Sequence, residues 1–112
     1  MPIENMRELL KTLCENVYLQ GSAPASYPKR FFTYWPTASN DHKYYDNQTF
    51  GFAWAVEINF YSTDPADVYA TLDAARDTLL AAGWKVSGRG YAVASDTQAD
   101  TGRGFEAKLL EI

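Results

Sequence analysis

The clearest hydrophobic pattern in the chain is a strict alternation from Phe50 to Tyr61. The odd positions there are small or polar, whereas the even positions are large and apolar: Phe50, Phe52, Trp54, Val56, Ile58 and Phe60. A period of two with one apolar face is typical of a β-strand that packs on one side only. The pattern predicts a strand over 50–61 whose second face is semi-polar.

A helical pattern follows this strand and begins at a capping sequence. Thr63 or Asp64 can cap the helix, Pro65 suits its first position, and Gly83 is a natural stop. Apolar side chains recur between them at spacings of three and four: Val68, Leu72, Ala75, Leu79 and Ala82. The sequence predicts a helix over about 65–82, with Trp84 folded back over its last turn.

The remaining elements have weaker patterns. An apolar stripe predicts a helix over about 3–16, followed by a short strand or an extended exit at 17–19. Further strands are expected at about 29–35, 85–94 and 104–111. Pro36 is expected to end the first of these strands, and two glycines, Gly88 and Gly90, are expected to interrupt the second.

The element order α-β-β-α-β-β predicts an α+β fold in a single domain over 1–112. Both strand pairs are joined without a helical crossover, so antiparallel hairpins are expected. The expected architecture is a mostly antiparallel four-stranded sheet with two helices on one face. The polar segment 37–49 is expected to project as a loop.

Composition narrows the class of protein further. A chain of 112 residues with 46% hydrophobic residues can bury a core without disulfides, and it has one cysteine, Cys14, expected to be a small buried hydrophobe. A net charge of −4 argues against sequence-specific binding of nucleic acid. The chain lacks a signal-peptide pattern and has no apolar run near the ~20 residues of a membrane span, so we expect a soluble protein made in the cytoplasm.

Few residues in the sequence could form a catalytic or metal-binding site. His42 is the only histidine, and a solvated loop residue beside Asp41 and Asp46 is favoured over a metal or acid–base site. The two Gly-Arg-Gly sequences at 88–90 and 102–104 are interpreted as turn or bulge glycines whose arginines pair with nearby acids. The sequence therefore predicts no catalytic residue, metal or cofactor, and a protein that is not an enzyme.

Aromatic pairs flank the polar segment 37–49. Tyr and Trp are common anchors of protein interfaces, although such rings can also cover a sheet edge within a monomer. The sequence leaves both interpretations open. The candidate interface residues, two of which lie in the polar segment 95–104, are Tyr34, Trp35, Tyr44, Tyr45, Asp96 and Arg103.

Three segments resemble a known family: Tyr44-Tyr45-Asp46-Asn47, VEINFYSTDP at 56–65 and ASDTQADTGRG at 94–104. They are similar to small tail-component proteins of long-tailed (siphovirus-type) phages and prophages of Gram-positive bacteria. The likeness covers roughly residues 29–112. At Asp100 the chain departs from it, because many family members carry His there.

This resemblance implies a tail-terminator-like protein located in the virion tail and made in the bacterial host cytoplasm. Such proteins close the tail tube at its head-proximal end as a ring. The implied partners are further copies of the chain in a homo-oligomer such as a hexamer, the tail tube protein and head–tail connector proteins.

Two other functions stay open at this point. One is an α+β module that binds a protein or peptide through an exposed sheet edge. The other, which is disfavoured, is a small enzyme with a pocket under the helices. A deep polar pocket with a strongly shifted titratable pair would support the enzyme.

Overall fold

A computed structural model describes residues 2–19, 28–41, 44–45, 48–49, 52–86, 88, 90–93 and 101–111. The elements within these ranges are α1 (Pro2–Lys11), β1 (Val17–Leu19), β2 (Arg30–Asp41), β3 (Tyr44–Tyr45), β4 (Gln48–Thr49), β5 (Phe52–Ser62), α2 (Pro65–Ala81), β6 (Lys85–Val86), β7 (Tyr91–Val93) and β8 (Thr101–Glu111). Six strands form one sheet in the order β1-β2-β5-β8-β6, with β7 also paired to β8, and β3 pairs with β4 separately. The α+β class is confirmed, with more strands than the four expected.

The predicted long strand is the centre of the sheet. β5 pairs in antiparallel register with β2 on one side and β8 on the other. Its even positions Val56, Ile58 and Phe60 are fully buried. Both helices contribute to the same core, α1 through Met6 and Leu10 and α2 through Val68, Leu72, Ala75 and Leu79. The prediction of two helices on one face is therefore confirmed.

The boundaries of α2 follow the predicted capping signals. Asp64 is the N-cap, and its carboxylate accepts a hydrogen bond from the Ala66 amide at 3.0 Å. At the other end Gly83 takes a φ of +96°, which favours glycine. The Trp84 amide then donates to the Leu79 carbonyl at 2.9 Å, and the indole is buried. Trp84 therefore folds back over the last turn as predicted.

The first helix is shorter than the predicted 3–16. It ends at Lys11, where the amides of Leu13 and Cys14 both donate to the Leu10 carbonyl, at 3.0 and 3.2 Å. Cys14 is buried, as expected of a small hydrophobe. The chain then enters β1, which pairs in parallel with β2 through residues Val17–Leu19. The sheet is consequently mixed, and only mostly antiparallel.

Pro36 does not end β2, which was predicted to stop at 35. The strand continues to Asp41 with a bulge between Pro36 and Ala38. An edge strand tolerates proline because an outward-facing position needs no N–H, and β1 reaches only as far as Tyr34. Much of the segment 37–49, expected to be a loop, is therefore strand or belongs to the β3–β4 hairpin. The long strands give the molecule extents of 54 × 27 × 22 Å.

The last part of the sheet is built around β8. The predicted strand 85–94 is present as two short strands, β6 and β7, which both pair with β8. Gly88 and Gly90 lie between them with φ of +70° and +100°, so the predicted glycine interruption is confirmed. β8 begins at Thr101 instead of 104, because Thr101, Gly102 and Arg103 already pair with β5.

Candidate assembly surface

The sheet has two unlike faces. One is covered by the helices; the other, here called the outer face, is defined by alternate positions of three strands: Phe31, Thr33 and Trp35 of β2, Glu57, Asn59 and Tyr61 of β5, and Gly102, Gly104, Glu106 and Lys108 of β8. Polar and aromatic side chains mix on this face, as the odd-numbered positions of the long strand predicted. Several of them are partly exposed, including Trp35, Glu57 and Glu106.

Two carboxylates lie directly opposite each other on the outer face. Glu57 and Glu106 are register partners across β5 and β8, and Trp35 is the partner of Glu57 on β2. We call these three residues the Trp–Glu–Glu row. Like charges in directly opposed positions destabilise an antiparallel pair. Lys108 offsets this repulsion weakly, since its Nζ lies 3.7 Å from Glu106 Oε1 and its side chain is 68% exposed.

Tyr91 reaches this row from β7. Its hydroxyl donates a hydrogen bond to the Glu57 carboxylate. Because β8 lies between β7 and β5, the bond passes over Gly104, the register partner of both Tyr91 and Asn59. Burial, the Glu57 hydrogen bond and the negative charges of Glu57 and Glu106 together raise the pKa of Tyr91 to about 12. Both carboxylates therefore act on one hydroxyl.

Gly104 leaves room for the side chain of Asn59. A Cβ atom at Gly104 would lie 1.8 Å from Asn59 Oδ1. Asn59 is only 5% exposed, and its Oδ1 has no hydrogen-bond partner among the described residues. This oxygen lies on the outer face between β5 and β8, one position along the face from the Glu57–Glu106 pair. An unpaired buried carbonyl oxygen is costly unless a donor reaches it.

The structure places the predicted interface residues on different sides of the sheet. Trp35 lies on the outer face, half-buried. Tyr34 instead belongs to the helix-covered core and is 5% exposed, so it offers no free surface in this chain. Burial raises the pKa of Tyr34, and the positive charge of Arg7 opposes that rise.

Arg103 also lies on the helix side of the sheet. Its Nη2 donates to the Gly90 carbonyl at 2.8 Å, and its guanidinium carbon lies 4.8 Å from the centre of the Tyr69 ring. The expectation that this arginine pairs with an acid was wrong, because the β6–β7 turn presents a carbonyl there. Its contacts connect β8 to α2 and to that turn, which is a role within the fold.

The structure describes the remaining predicted residues only in part. The backbones of Tyr44 and Tyr45 pair with Thr49 and Gln48 in the β3–β4 hairpin. Asp96, His42, Asp46 and Arg89 lie outside the described residues.

The sequence did not predict that Glu57, Glu106 and Tyr91 lie together on one face of the sheet. The one available signal was the charged side chain of Glu57 at an odd position of the long strand. The partner positions depend on strand register, which hydrophobic periodicity does not give.

A second polar cluster joins β2 to α2. The Arg30 guanidinium makes two hydrogen bonds to the Asp67 carboxylate, from Nε at 3.0 Å and from Nη2 at 3.2 Å. Thr71 Oγ1 donates to Asp67 Oδ1 at 2.8 Å. Burial raises the pKa of Asp67, but hydrogen bonds from Arg30, Thr71 and Ser62 outweigh it, and the net pKa lies below the ordinary value. The carboxylate is thereby held charged near the helix N-terminus.

The described residues bring no group of three or more His, Cys, Asp or Glu side chains into a metal-binding arrangement. No helix in the described ranges is both long and apolar enough to cross a membrane.

No protein-family model matches the chain, and no curated protein matches it by sequence. Among solved structures, the fold is similar to that of a chain in the virion of a native gene transfer agent (GTA) particle, with a TM-score of 0.61 and 12% sequence identity. The likeness covers 97% of this chain and 90% of that chain. At this identity the match establishes that the two chains share a fold.

Proposed function

We propose that this chain is a structural protein of a phage-like virion, tail-terminator-like, that assembles as a homo-oligomeric ring such as a hexamer at the head-proximal end of the tail. The observation that carries the proposal is the fold shared over almost the whole length with a chain of the GTA virion. The tail position rests on the segments at 44–47, 56–65 and 94–104 that resemble small tail-component proteins. The protein would be made in the host cytoplasm and act in the virion tail.

The outer face supports an assembly role. It places a partly exposed Trp35 beside the opposed carboxylates Glu57 and Glu106, on strands held rigid by a packed core. Trp is enriched among the residues that dominate binding energy at interfaces. A net charge of −4 also suits a ring through which DNA passes, because an acidic lining does not retain the phosphate backbone.

The proposed partners are further copies of the chain, the tail tube protein and head–tail connector proteins. Sedimentation velocity and native mass spectrometry of the chain, alone and mixed with the tail tube protein of the same virion, test this. We expect a ring-sized assembly in the mixture and loss of that assembly in Trp35→Ala. Leu80→Ala, which truncates an exposed apolar side chain of α2, is the matched control. A wild-type chain that stays monomeric in the mixture would contradict the proposal.

A second function is favoured by one observation. Beyond Tyr34 the outer edge of β2 has no neighbouring strand among the described residues, so a peptide could add there as a further strand. β5 itself is central and offers no edge. Backbone amide shifts confined to residues 37–41 on adding an extended peptide, without ring formation, would favour this binding module over a tail component.

A further inference from the structure

The Trp–Glu–Glu row combines the features that bind a guanidinium group. Two opposed carboxylates present several acceptor oxygens on adjacent strands, and Trp35 lies next to them in register. An arginine side chain offers five planar N–H donors to carboxylates and also stacks on aromatic rings. Lysine has neither the planar fork nor the stacking surface, so arginine fits this row better.

The two carboxylates of the row have few hydrogen-bond donors within their own chain. Tyr91 supplies one hydrogen bond to Glu57, and Glu106 has the exposed Lys108 at 3.7 Å and the Thr37 hydroxyl at 3.3 Å. Independently of the carboxylates, the neighbouring Asn59 Oδ1 is buried and has no partner among the described residues. The Glu57 and Glu106 carboxylates therefore keep acceptor sites for an external donor, whereas Asn59 Oδ1 is enclosed and out of its reach.

The chain contains one described arginine that is free to be that donor. Arg30 binds Asp67, Arg76 donates to the Gly88 carbonyl and Arg103 donates to the Gly90 carbonyl. Arg7 is exposed on α1 and makes no hydrogen bond or ion pair within the described ranges.

Arg7 and the row lie on opposite sides of one sheet. α1 packs on the helix-covered side, whereas Glu57 and Glu106 are on the outer face. Arg7 therefore cannot reach the row of its own copy but can reach that of another. A contact that joins two different surfaces repeats head to tail, and it closes into a ring when the rotation between copies allows.

We propose that Arg7 of one copy docks into the Trp35–Glu57–Glu106 row of the next copy, as the recurring contact of the ring. This inference rests on the proposed ring assembly and names the residues that carry it. Because every copy carries both Arg7 and the Trp–Glu–Glu row, each copy supplies one arginine and receives one.

A paired-cysteine experiment tests the contact directly. In an Arg7→Cys/Glu106→Cys chain under mild oxidation, mixed with the tail tube protein, we expect a ladder of disulfide-linked multimers extending beyond the dimer. With Cys14 replaced by alanine in every variant, each chain that carries one added cysteine can give a dimer at most. Asp77→Cys/Glu106→Cys, which moves the first cysteine to the exposed side of α2, is the matched control. A ladder no stronger than that of the control would overturn the proposal.

Charge exchange gives a second readout that does not depend on disulfide geometry. Arg7→Glu alone and Glu106→Arg alone should each weaken ring association on the order of tenfold or more, because each leaves like charges facing. The two changes combined in one chain should restore much of the loss. Rings that form normally in both single variants would refute the Arg7 contact and leave the ring proposal intact, whereas a wild type that never forms rings contradicts both.

Discussion

The two faces of one sheet have different chemistry although they share every strand. On the helix-covered face Val56, Ile58 and Phe60 of β5 are fully buried in a hydrophobic core to which both helices contribute. On the outer face the intervening positions of the same strand are Glu57 and Asn59, with a like-charged partner and an unpaired oxygen. The first face holds the chain in its fold, whereas the second carries polar groups that are only partly satisfied within one chain, which is compatible with the assembly role proposed above.

The largest expected difference between the faces is in stability. Phe60→Ala should lower the free energy of unfolding by about 3–5 kcal/mol, because it leaves a cavity in a fully buried site. Trp35→Ala should cost about 1 kcal/mol or less, since its ring is partly exposed. Urea denaturation followed by circular dichroism measures both, and one cooperative transition is expected for a single domain. Equal losses of unfolding free energy in the two variants would contradict the difference in packing between the two faces.

Gly104 tests how closely the outer face is packed. Gly104→Ala should cost about 1–3 kcal/mol, because the new Cβ would lie 1.8 Å from Asn59 Oδ1 and 2.8 Å from the Ile58 carbonyl oxygen. Adding Asn59→Ala should recover part of the loss by removing the first clash. Chemical denaturation of the single and double variants gives the coupling energy. Strict additivity would mean that the two side chains do not compete for the same space.

The Arg30–Asp67 cluster belongs to the helix-covered side and should respond to pH. Because the folded pKa of Asp67 is lowered, its stabilisation is fully present above the unfolded pKa, near the ordinary value of 3.8, and is lost as pH falls through the folded pKa. Asp67→Asn should cost about 1 kcal/mol at neutral pH, a modest value because both side chains are partly exposed. The gap between wild type and variant should narrow as the pH falls below 3.8. A gap independent of pH would show that the carboxylate charge contributes nothing.

The smallest effect concerns Tyr91 on the outer face. Its raised pKa means that the associated stability is present below the unfolded pKa of 10.0 and is lost as pH rises through about 12. In Glu57→Gln the Tyr91 pKa should fall toward 10.0, since the anionic acceptor is gone. Ring NMR signals of labelled tyrosine measure the titration, with Asp73→Asn on the exposed side of α2 as the control. An unchanged titration in Glu57→Gln would contradict the hydrogen bond.

The helix-covered face was largely predictable from sequence, because its signals are local. Alternation marked β5, and capping residues Asp64 and Pro65 with Gly83 bounded α2. The errors arose where tertiary context overrides local signals. Pro36 lies within an edge strand that tolerates it, and α1 ends early because Cys14 and Val17 turn into a parallel strand beside β2.

The outer face was predictable only as semi-polar. The opposition of Glu57 and Glu106, which lie far apart in the sequence, is set by register over the whole of β5 and β8. Tyr34 and Trp35 show, within one dipeptide, that the sequence did not predict which face of the sheet a side chain lies on. Both are aromatic neighbours in a strand, but pleating sends one into the core and the other to the outer face.

We propose that the outer face becomes covered when copies of the chain assemble. Hydroxyl-radical footprinting of the monomer and of purified rings tests this most directly, because it reports the solvent exposure of individual aromatic side chains. We predict that Trp35 and Tyr91 become protected in the ring while Tyr69 on α2 stays as reactive as in the monomer. Protection of Tyr69 with Trp35 and Tyr91 unchanged would contradict this proposal.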